Sequence, residues 1–265
     1  METRRPFTAT LGPSTIRVRA DELRMSVPDA AVTVFVTYGV VIVELPTPPT
    51  PEDLVSLEKS LGPLWRHARS EENGIAVIEA SGGDTGFLGT MSDEHPPHTD
   101  GAYSPAGPAI VLLSCEHAEA IGGESVLVSA ATVHNRLHAE RPDLLAALYR
   151  PDAMTITRNG ATARHPAFAE HDGLVCVRYR QDNHSSTESS CSQALAAMTE
   201  AVLDPANQFV TSLRRGDVLI LDNRAVLHGR RAFDRISGRR RMLRLNFDGG
   251  GNQDLRFGFR PADQP

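Results

Sequence analysis

Three short blocks of the sequence carry side chains that could hold a metal ion and an anionic ligand. The first block is His98-Thr99-Asp100, and the second contains His228, far downstream and just past an apolar stretch. Side chains at i and i+2 of an extended segment point to the same side, so His98 and Asp100 could bind one ion together. Two histidines and one carboxylate on one face leave positions open on the other, which suits oxygen-activating iron(II). A histidine and an aspartate at this spacing are common by chance, so the interpretation depends on the third block.

The third block is the arginine-rich run of residues 239–247. It has the alternating character of a strand, which places Arg240 and Arg244 on one face and the large apolar residues on the other. An arginine that points into a protein is costly unless it is paired, and its planar guanidinium suits a carboxylate bidentately. The block therefore predicts a site for an anionic co-substrate beside the metal. The alternative interpretation is a solvated, charged edge strand that blocks aggregation.

The elements that must position these blocks are mostly short strands. Apolar and β-branched patterns predict strands over 39–45, 75–79, 109–115, 124–128, 174–180, 218–221 and 239–247. Helical spacing predicts helices over 32–38, 52–61, 130–148 and 193–203, with a polar loop at 185–192. Many short strands with few helices predict a mainly β fold with flanking helices, either closed or built from two sheets. Without a repeat or a linker, residues 1–265 are expected to form a single domain.

Composition limits the classes of partner and compartment. The formal net charge is −6 and Lys59 is the only lysine, so nothing indicates nucleic acid or an anionic membrane as a partner. Three cysteines without CxxC spacing fit a reducing cytosol. The longest apolar stretch, residues 30–45, is too short and too interrupted to span a bilayer. We expect a cytoplasmic protein with a small-molecule substrate, and the sequence leaves a homo-oligomer open.

Taken together, the blocks resemble the taurine dioxygenase/TfdA-like family of Fe(II)- and 2-oxoglutarate-dependent oxygenases. The matching stretches, between about residues 39 and 247, are PPHTDGAYSPAG, GGES, GDVLILDNRAVLHGR and RRRMLR. The resemblance implies a double-stranded β-helix (jelly-roll) core with a long insert at about 129–210. It also implies Fe(II), 2-oxoglutarate and O2, and a dioxygenase that hydroxylates or desaturates a small polar organic substrate while releasing succinate and CO2. The supply of arginines indicates that this substrate is anionic.

Carried over residue by residue, the resemblance assigns iron to the two histidines and the aspartate of the first two blocks, His98, Asp100 and His228. Arg240 would bind the distal carboxylate of 2-oxoglutarate with help from Ser125 of the GGES turn. Arg244 would lie near the other end of the co-substrate or near the substrate. Because three arginines are consecutive, Arg239 or Arg241 could bind the distal carboxylate instead. Arg240 is favoured, since it lies an even number of residues from Arg244 and therefore on the same face of the strand.

Several further residues are candidates for substrate contact. Tyr103 lies three residues past Asp100, and Phe87 lies within the Gly-rich stretch 81–90, where an apolar tip could serve as a lid. The alternative for that stretch is a simple connection with Phe87 packed in the core. Arg178, Arg180 and Asn183 lie at the end of a predicted strand within the insert and could meet an anionic substrate, or they could belong to a plain surface strand.

The other histidines, Asp100 and the single lysine exclude or disfavour some types of metal site and some relatives. His134 and His138 are four residues apart on a predicted helix, but without a third ligand nearby they are expected at the surface. His95 could line the entrance of the site, but an ordinary loop histidine is the favoured interpretation. Because Asp100 is a carboxylate, a halogenase is disfavoured, since halogenases need that coordination position for halide. Lys59 lies far from the blocks, which excludes relatives that anchor 2-oxoglutarate with lysine.

Two rival functions remain open from the sequence. One is a non-catalytic jelly-roll protein that binds a metal or a small ligand, and the other is a hydrolase that places zinc in the same ligand set. Neither rival needs a dicarboxylate site, so Ser125 and the arginine strand argue against both. Succinate formation separates the oxygenase from the two alternatives.

Overall fold

The structure is a computed structural model that describes residues 4–67, 69–80, 89, 91–158, 160–182 and 186–262. The helices in this part of the chain are α1 (Asp29–Tyr38), α2 (Pro51–Ser56), α3 (Glu58–Leu61), α4 (Ala130–Glu140), α5 (Pro142–Leu148) and α6 (Ser192–Leu203). The strands are β1 (Arg17–Arg19), β2 (Val40–Glu44), β3 (Ala76–Glu79), β4 (His95–His98), β5 (Ile110–Ala118), β6 (Ile121–Gly122), β7 (Ser125–Ser129), β8 (Met154–Arg158), β9 (Ala161–His165), β10 (Phe168–His171), β11 (Leu174–Val177), β12 (Ser186–Glu188), β13 (Gln208–Thr211), β14 (Asp217–Asp222), β15 (Val226–Arg230), β16 (Phe233–Asp234) and β17 (Arg240–Phe247). None of these helices combines the length and the apolar character needed to cross a bilayer.

Two sheets form the centre of the fold. The larger has the strand order β1-β2-β14-β5-β17-β3, and the smaller has the order β13-β7-β15-β4. Strand β2 shows that the larger sheet is covered on both faces. Its Val40 and Ile42 share an apolar cluster with Leu127 of the smaller sheet, while Val41 and Val43 pack in a second cluster with α1, α2 and α3. This arrangement confirms the predicted mainly β fold with flanking helices, built from two sheets.

A long excursion separates two neighbouring strands of the smaller sheet. The chain leaves this sheet at β7, forms α4 to α6 and β8 to β12, and returns to pair β13 directly with β7. Leu137, Leu148 and Met198 of its helices are buried in the cluster that also contains Leu127. The helices of the excursion therefore pack against the smaller sheet, with α4 contacting β7 and α6 contacting β4, and its strands reach toward the cavity described below.

Four predicted elements differ from the observed ones. The predicted helix 130–148 divides into α4 and α5 at Arg141. The predicted helix 52–61 divides into α2 and α3 at Leu57. The predicted strand 174–180 ends at Val177, because the backbone beyond it turns to exchange hydrogen bonds with Thr99. The predicted polar loop 185–192 contains β12, which pairs with β8. Pairing with a distant strand cannot be inferred from a polar segment alone.

The prediction that His134 lies at the surface is wrong. His134 is only 5% exposed, because α4 packs it edge-on against the rings of Phe168 and Phe259. Its Nε2 lies 2.8 Å from the hydroxyl of Tyr149. Burial lowers the pKa of His134 to about 4. The helical pattern could not reveal this, since a histidine at one position in α4 looks the same whether the facing surface is water or an aromatic cluster.

We expect the buried His134 to make folding sensitive to acid. In the unfolded chain its pKa is about 6.5, so the folded protein binds fewer protons between that pH and about 4. The free energy of unfolding should therefore fall on acidification, by up to about 1.4 kcal/mol per pH unit for this one group. His134→Phe should reduce the slope of unfolding free energy against pH in this window, measured by urea denaturation. His171→Gln, at an exposed histidine, should leave the slope unchanged. Equal slopes in wild type and His134→Phe would contradict the assignment.

Candidate metal centre and co-substrate pocket

His98 and His228 are cross-strand neighbours in the smaller sheet. Strand β4 ends at His98, which pairs directly with His228 of β15, and the two rings lie 4.6 Å apart. The Nδ1 of His98 lies 3.0 Å from the carbonyl oxygen of Pro96, which directs its Nε2 toward Asp100. Gly229 permits this close pairing, because a Cβ there would lie 2.5 Å from the carbonyl oxygen of His95.

Asp100 lies just beyond β4, where its backbone is fixed by one buried side chain. Asn223 accepts a hydrogen bond from the backbone N–H of Asp100 (2.8 Å) and donates one to its carbonyl oxygen (2.9 Å). The Oδ1 of Asp100 then lies 3.4 Å from Nε2 of His98 and 3.9 Å from Nε2 of His228. One candidate ligand atom from each of the three residues lies within 4.8 Å of the others. His98 and Asp100 therefore meet as predicted, although the strand itself ends at His98.

The second oxygen of Asp100 is held by strand β17. Arg244 approaches Oδ2 at 3.1 Å, and the amide of Asn246 donates to the same atom at 3.2 Å. Burial opposes ionisation of this carboxyl, but the positive charge of Arg244 works against burial, and the pKa of Asp100 lies well below its usual range. One oxygen thus faces the histidines while the other is fixed from behind.

The protonation states suit a divalent metal ion. Burial lowers the pKa of His98, and it lowers the pKa of His228 to about 3. At neutral pH both imidazoles are therefore neutral while Asp100 is ionised. These are the forms in which histidine and carboxylate bind metals. The donor set is consequently compatible with a single iron(II) ion.

Arg240 lies on the wall of the cavity that adjoins this centre. The cavity measures about 920 Å³, counting its open mouth, and Ser125 of β7 lines it as well. Arg240 is 9% exposed, and its guanidinium lies 5.5 Å from the centre of the Phe233 ring. The guanidinium of Arg240 forms no hydrogen bond or ion pair with any residue that the structure describes. A buried guanidinium in this situation requires an anion from elsewhere.

The conformation of two neighbouring segments directs Arg240 into the cavity. Gly123 has a φ of +78°, and a Cβ there would lie 2.8 Å from Nε of Arg240, so glycine leaves the space that the side chain crosses. Arg239 and Arg241 instead pair with Glu79. A register irregularity between β17 and β5 next to Arg241 leaves the alternation along β17 intact. The structure thus places Arg240, of the three candidates, in the cavity.

The other predicted contact residues are distributed unevenly. Tyr103 and Arg180 line the cavity, and the Tyr103 hydroxyl lies 3.0 Å from Nε2 of His67. Arg178 does not line it; its guanidinium donates to the backbone carbonyls of the loop after Asp100, including that of Ala102. Phe87, with nearly all of the predicted lid 81–90, and Asn183 lie outside the described residues.

Sequence reasoning missed several residues of the centre. His95 is part of β4, not of a loop, and its ring stacks on His98 at 3.9 Å. Arg158 and His67 also line the cavity but come from distant segments that carry no motif. The sequence contains one indication of a role for Asn223. It is an amide that directly follows a strand whose residues are nearly all apolar.

Comparison with known proteins gives the chain its relatives. Residues 3–246 match the family described as taurine catabolism dioxygenase TauD, TfdA family. A taurine hydroxylase-like protein of Stachybotrys chartarum is 28% identical over 207 residues, which cover 69% of this chain and 50% of that protein. A uridine-5′-phosphate dioxygenase of a Streptomyces species is 26% identical over 240 residues, which cover 82% of this chain and 87% of that protein. The chain thus spans half the length of the first relative and most of the second.

A solved structure shows the same fold. It is that of an asparagine oxygenase in complex with Fe(II), (2S,3S)-3-hydroxyasparagine and succinate, with a TM-score of 0.64 and 20% identity, covering 79% of this chain and 74% of that one. The likeness confirms the jelly-roll core that the resemblance implied. The family match covers the segments that supply both histidines, Asp100 and Arg240. This chain belongs to the taurine catabolism dioxygenase TauD, TfdA family.

Proposed function

We propose that this chain is an Fe(II)- and 2-oxoglutarate-dependent dioxygenase that hydroxylates or desaturates a small anionic molecule and releases succinate and CO2. The observation that carries the proposal is the buried guanidinium of Arg240, which lacks a carboxylate partner among the described residues and adjoins a centre of two histidines and an aspartate. A structural metal site would not need that arginine. Residues 1–265 are proposed to form one oxygenase domain, with the excursion between β7 and β13 as its insert.

His98, Asp100 and His228 would hold the iron. When bound, iron supplies the oxygen activation and the one-electron chemistry that side chains cannot provide. The protein's own contribution is to keep both imidazoles neutral and Asp100 ionised. Because Arg244 and Asn246 occupy the other oxygen of Asp100, the carboxylate presents a single oxygen to the metal side.

Arg240 and Ser125 would bind the distal carboxylate of 2-oxoglutarate. The guanidinium offers a planar pair of donors for a carboxylate, and the Ser125 hydroxyl can add a third. The ring of Phe233 covers the guanidinium and keeps it away from bulk water, which strengthens its attraction for an anion. Arg239 and Arg241 cannot substitute, since Glu79 holds them outside the cavity.

The charge of the cavity supports an anionic primary substrate. Its described lining contains six arginines and a single carboxylate, that of Asp100. Iron and 2-oxoglutarate carry opposite charges of equal size, so binding both leaves this excess of positive charge in place. The relatives named for taurine and for uridine-5′-phosphate both refer to substrates with an anionic group. A small oxyanion-bearing substrate therefore fits the cavity best.

The test is Fe(II)-dependent conversion of 2-oxoglutarate to succinate under air. We expect succinate to form slowly without substrate and faster with a small panel of phosphate, sulfonate and carboxylate compounds. Zinc in place of iron should give none. Absence of succinate under every condition, with iron demonstrably bound, would favour the non-catalytic or hydrolytic alternatives.

A further inference from the structure

Arg158 and Arg180 meet at one carboxylate although they come from different strands of the excursion. Arg158 is the last residue of β8, and Arg180 lies just after β11. Nε of Arg180 lies 2.7 Å from Oδ2 of Asp182, and Nη1 of Arg158 lies 3.4 Å from the same oxygen. Both arginine side chains are 5% exposed and that of Asp182 is 2% exposed. Asp182 thus braces two buried guanidinium groups side by side.

This arginine pair faces the metal centre rather than the protein interior. Both side chains line the cavity that also exposes His98 and His228. Nη2 of Arg180 lies 3.5 Å from Nε2 of His95, whose ring stacks on His98 at 3.9 Å. Only one imidazole therefore separates Arg180 from a proposed iron ligand.

The pair is also separate from the residues proposed for 2-oxoglutarate. Arg240 belongs to β17 of the larger sheet, whereas Arg158 and Arg180 belong to the excursion. Burial lowers the pKa of Arg180, Asp182 opposes this effect, and the positive charge of Arg158 adds to it. Two guanidinium groups held side by side on a cavity wall form a site suited to an anionic ligand.

We propose that Arg158 and Arg180, braced by Asp182, bind the oxyanion of the primary substrate, a phosphate or carboxylate group. This inference rests on the proposed function, because it assigns the substrate end of the same cavity. Two guanidinium planes provide several N–H donors for the oxygens of one such group. With the oxyanion fixed there, the rest of a small substrate extends into the cavity that the metal centre shares.

The competing explanation is that the cluster only fastens the excursion to the core. That role would lower the melting temperature when an arginine is removed but would leave anion affinity unchanged. Arg158→Gln and Arg180→Gln separate the two roles. Arg164→Gln is the matched control, because Arg164 lies on the adjacent strand β9, paired with β8, and is exposed.

The experiment titrates methyl phosphate, and separately acetate, into the protein loaded with Fe(II) and 2-oxoglutarate without oxygen, at constant ionic strength, by calorimetry. We expect one binding site per chain for the probe with the higher affinity. Tighter binding of methyl phosphate identifies the oxyanion of the substrate as a phosphate, and tighter binding of acetate identifies it as a carboxylate. Arg158→Gln and Arg180→Gln should each weaken it by about tenfold or more, the effect of losing a charge-assisted contact. Arg164→Gln should bind like wild type.

Two results would overturn the proposal: neither probe binds the wild-type protein, or affinity is unchanged in both cavity variants even where their melting temperature falls. Failure of the proposed function looks different. In that case the wild-type protein would give no 2-oxoglutarate-dependent charge-transfer band in the visible, while methyl phosphate binding and its loss in Arg158→Gln would persist.

Discussion

Alanine at His98, Asp100 or His228 is expected to reduce iron-dependent succinate formation by more than about a hundredfold. Loss of a residue that merely supports a metal ligand costs roughly 10- to 100-fold in metal affinity or activity, and loss of the ligand itself should cost more. No other histidine, cysteine or acidic residue in the described part of the chain joins this group of candidate ligands, so none replaces a missing ligand without movement. Succinate is measured at saturating 2-oxoglutarate over a range of Fe(II) concentrations.

Folding must be separated from metal binding in these variants. Asp100→Ala leaves Arg244 without its carboxylate, so this variant is expected to be less stable than the histidine variants. Asp100→Asn preserves the shape and provides the second test at this position. His171→Ala, at an exposed histidine, is the control for a general effect of removing an imidazole. Wild-type turnover in any one of the three ligand variants would remove that residue from the centre.

Arg240→Ala is expected to raise the KM for 2-oxoglutarate by roughly ten- to a hundredfold. A hydrogen bond to a charged group contributes about 1.5–3 kcal/mol, which corresponds to this range. The melting temperature should change little, because the guanidinium has no ion pair with a described residue to lose. Initial rates of succinate formation against 2-oxoglutarate concentration provide the measurement.

Neighbouring variants make the test of Arg240 specific. Arg239→Ala and Arg241→Ala remove the same charge from the opposite face and should leave the KM for 2-oxoglutarate near the wild-type value. Gly123→Ala should raise it, since the added Cβ would displace Arg240 and the φ of +78° strains any other residue. A large effect in Arg239→Ala or Arg241→Ala, with none in Arg240→Ala, would mean that the co-substrate binds elsewhere.

The sequence alone predicted which side chains point to the same side wherever the alternation along a single extended segment determines their direction. The alternation along β17 predicted that Arg240 and Arg244 share a face, and the structure places both in the cavity lining. The same reasoning joined His98 to Asp100 across two residues. Periodicity could not predict that His228 joins these residues at one metal centre, and the family resemblance supplied that prediction. His228 lies on β15, opposite His98 of the neighbouring strand β4.

The rest of the centre depends on contacts between distant segments. Arg158, Asp182 and His95 come from three separate stretches, and no spacing along the chain predicts that they meet. Arg178 shows the converse: as residues i and i+2 of the predicted strand, Arg178 and Arg180 should share a face. Arg178 instead binds backbone carbonyls outside the cavity, because the strand ends at Val177. Burial of polar side chains is fixed by the tertiary fold, so these roles could not be assigned in advance.

The most direct test of the central claim is the visible spectrum of the protein with Fe(II) and 2-oxoglutarate in the absence of oxygen. Chelation of the iron by the co-substrate in this centre should give a weak metal-to-ligand charge-transfer band. The band should be absent when Fe(II) or 2-oxoglutarate is left out, and it should be absent in Asp100→Ala. In Arg240→Ala the band should appear only at a much higher 2-oxoglutarate concentration. A folded, iron-loaded wild-type protein that shows no band at any 2-oxoglutarate concentration would contradict the assignment.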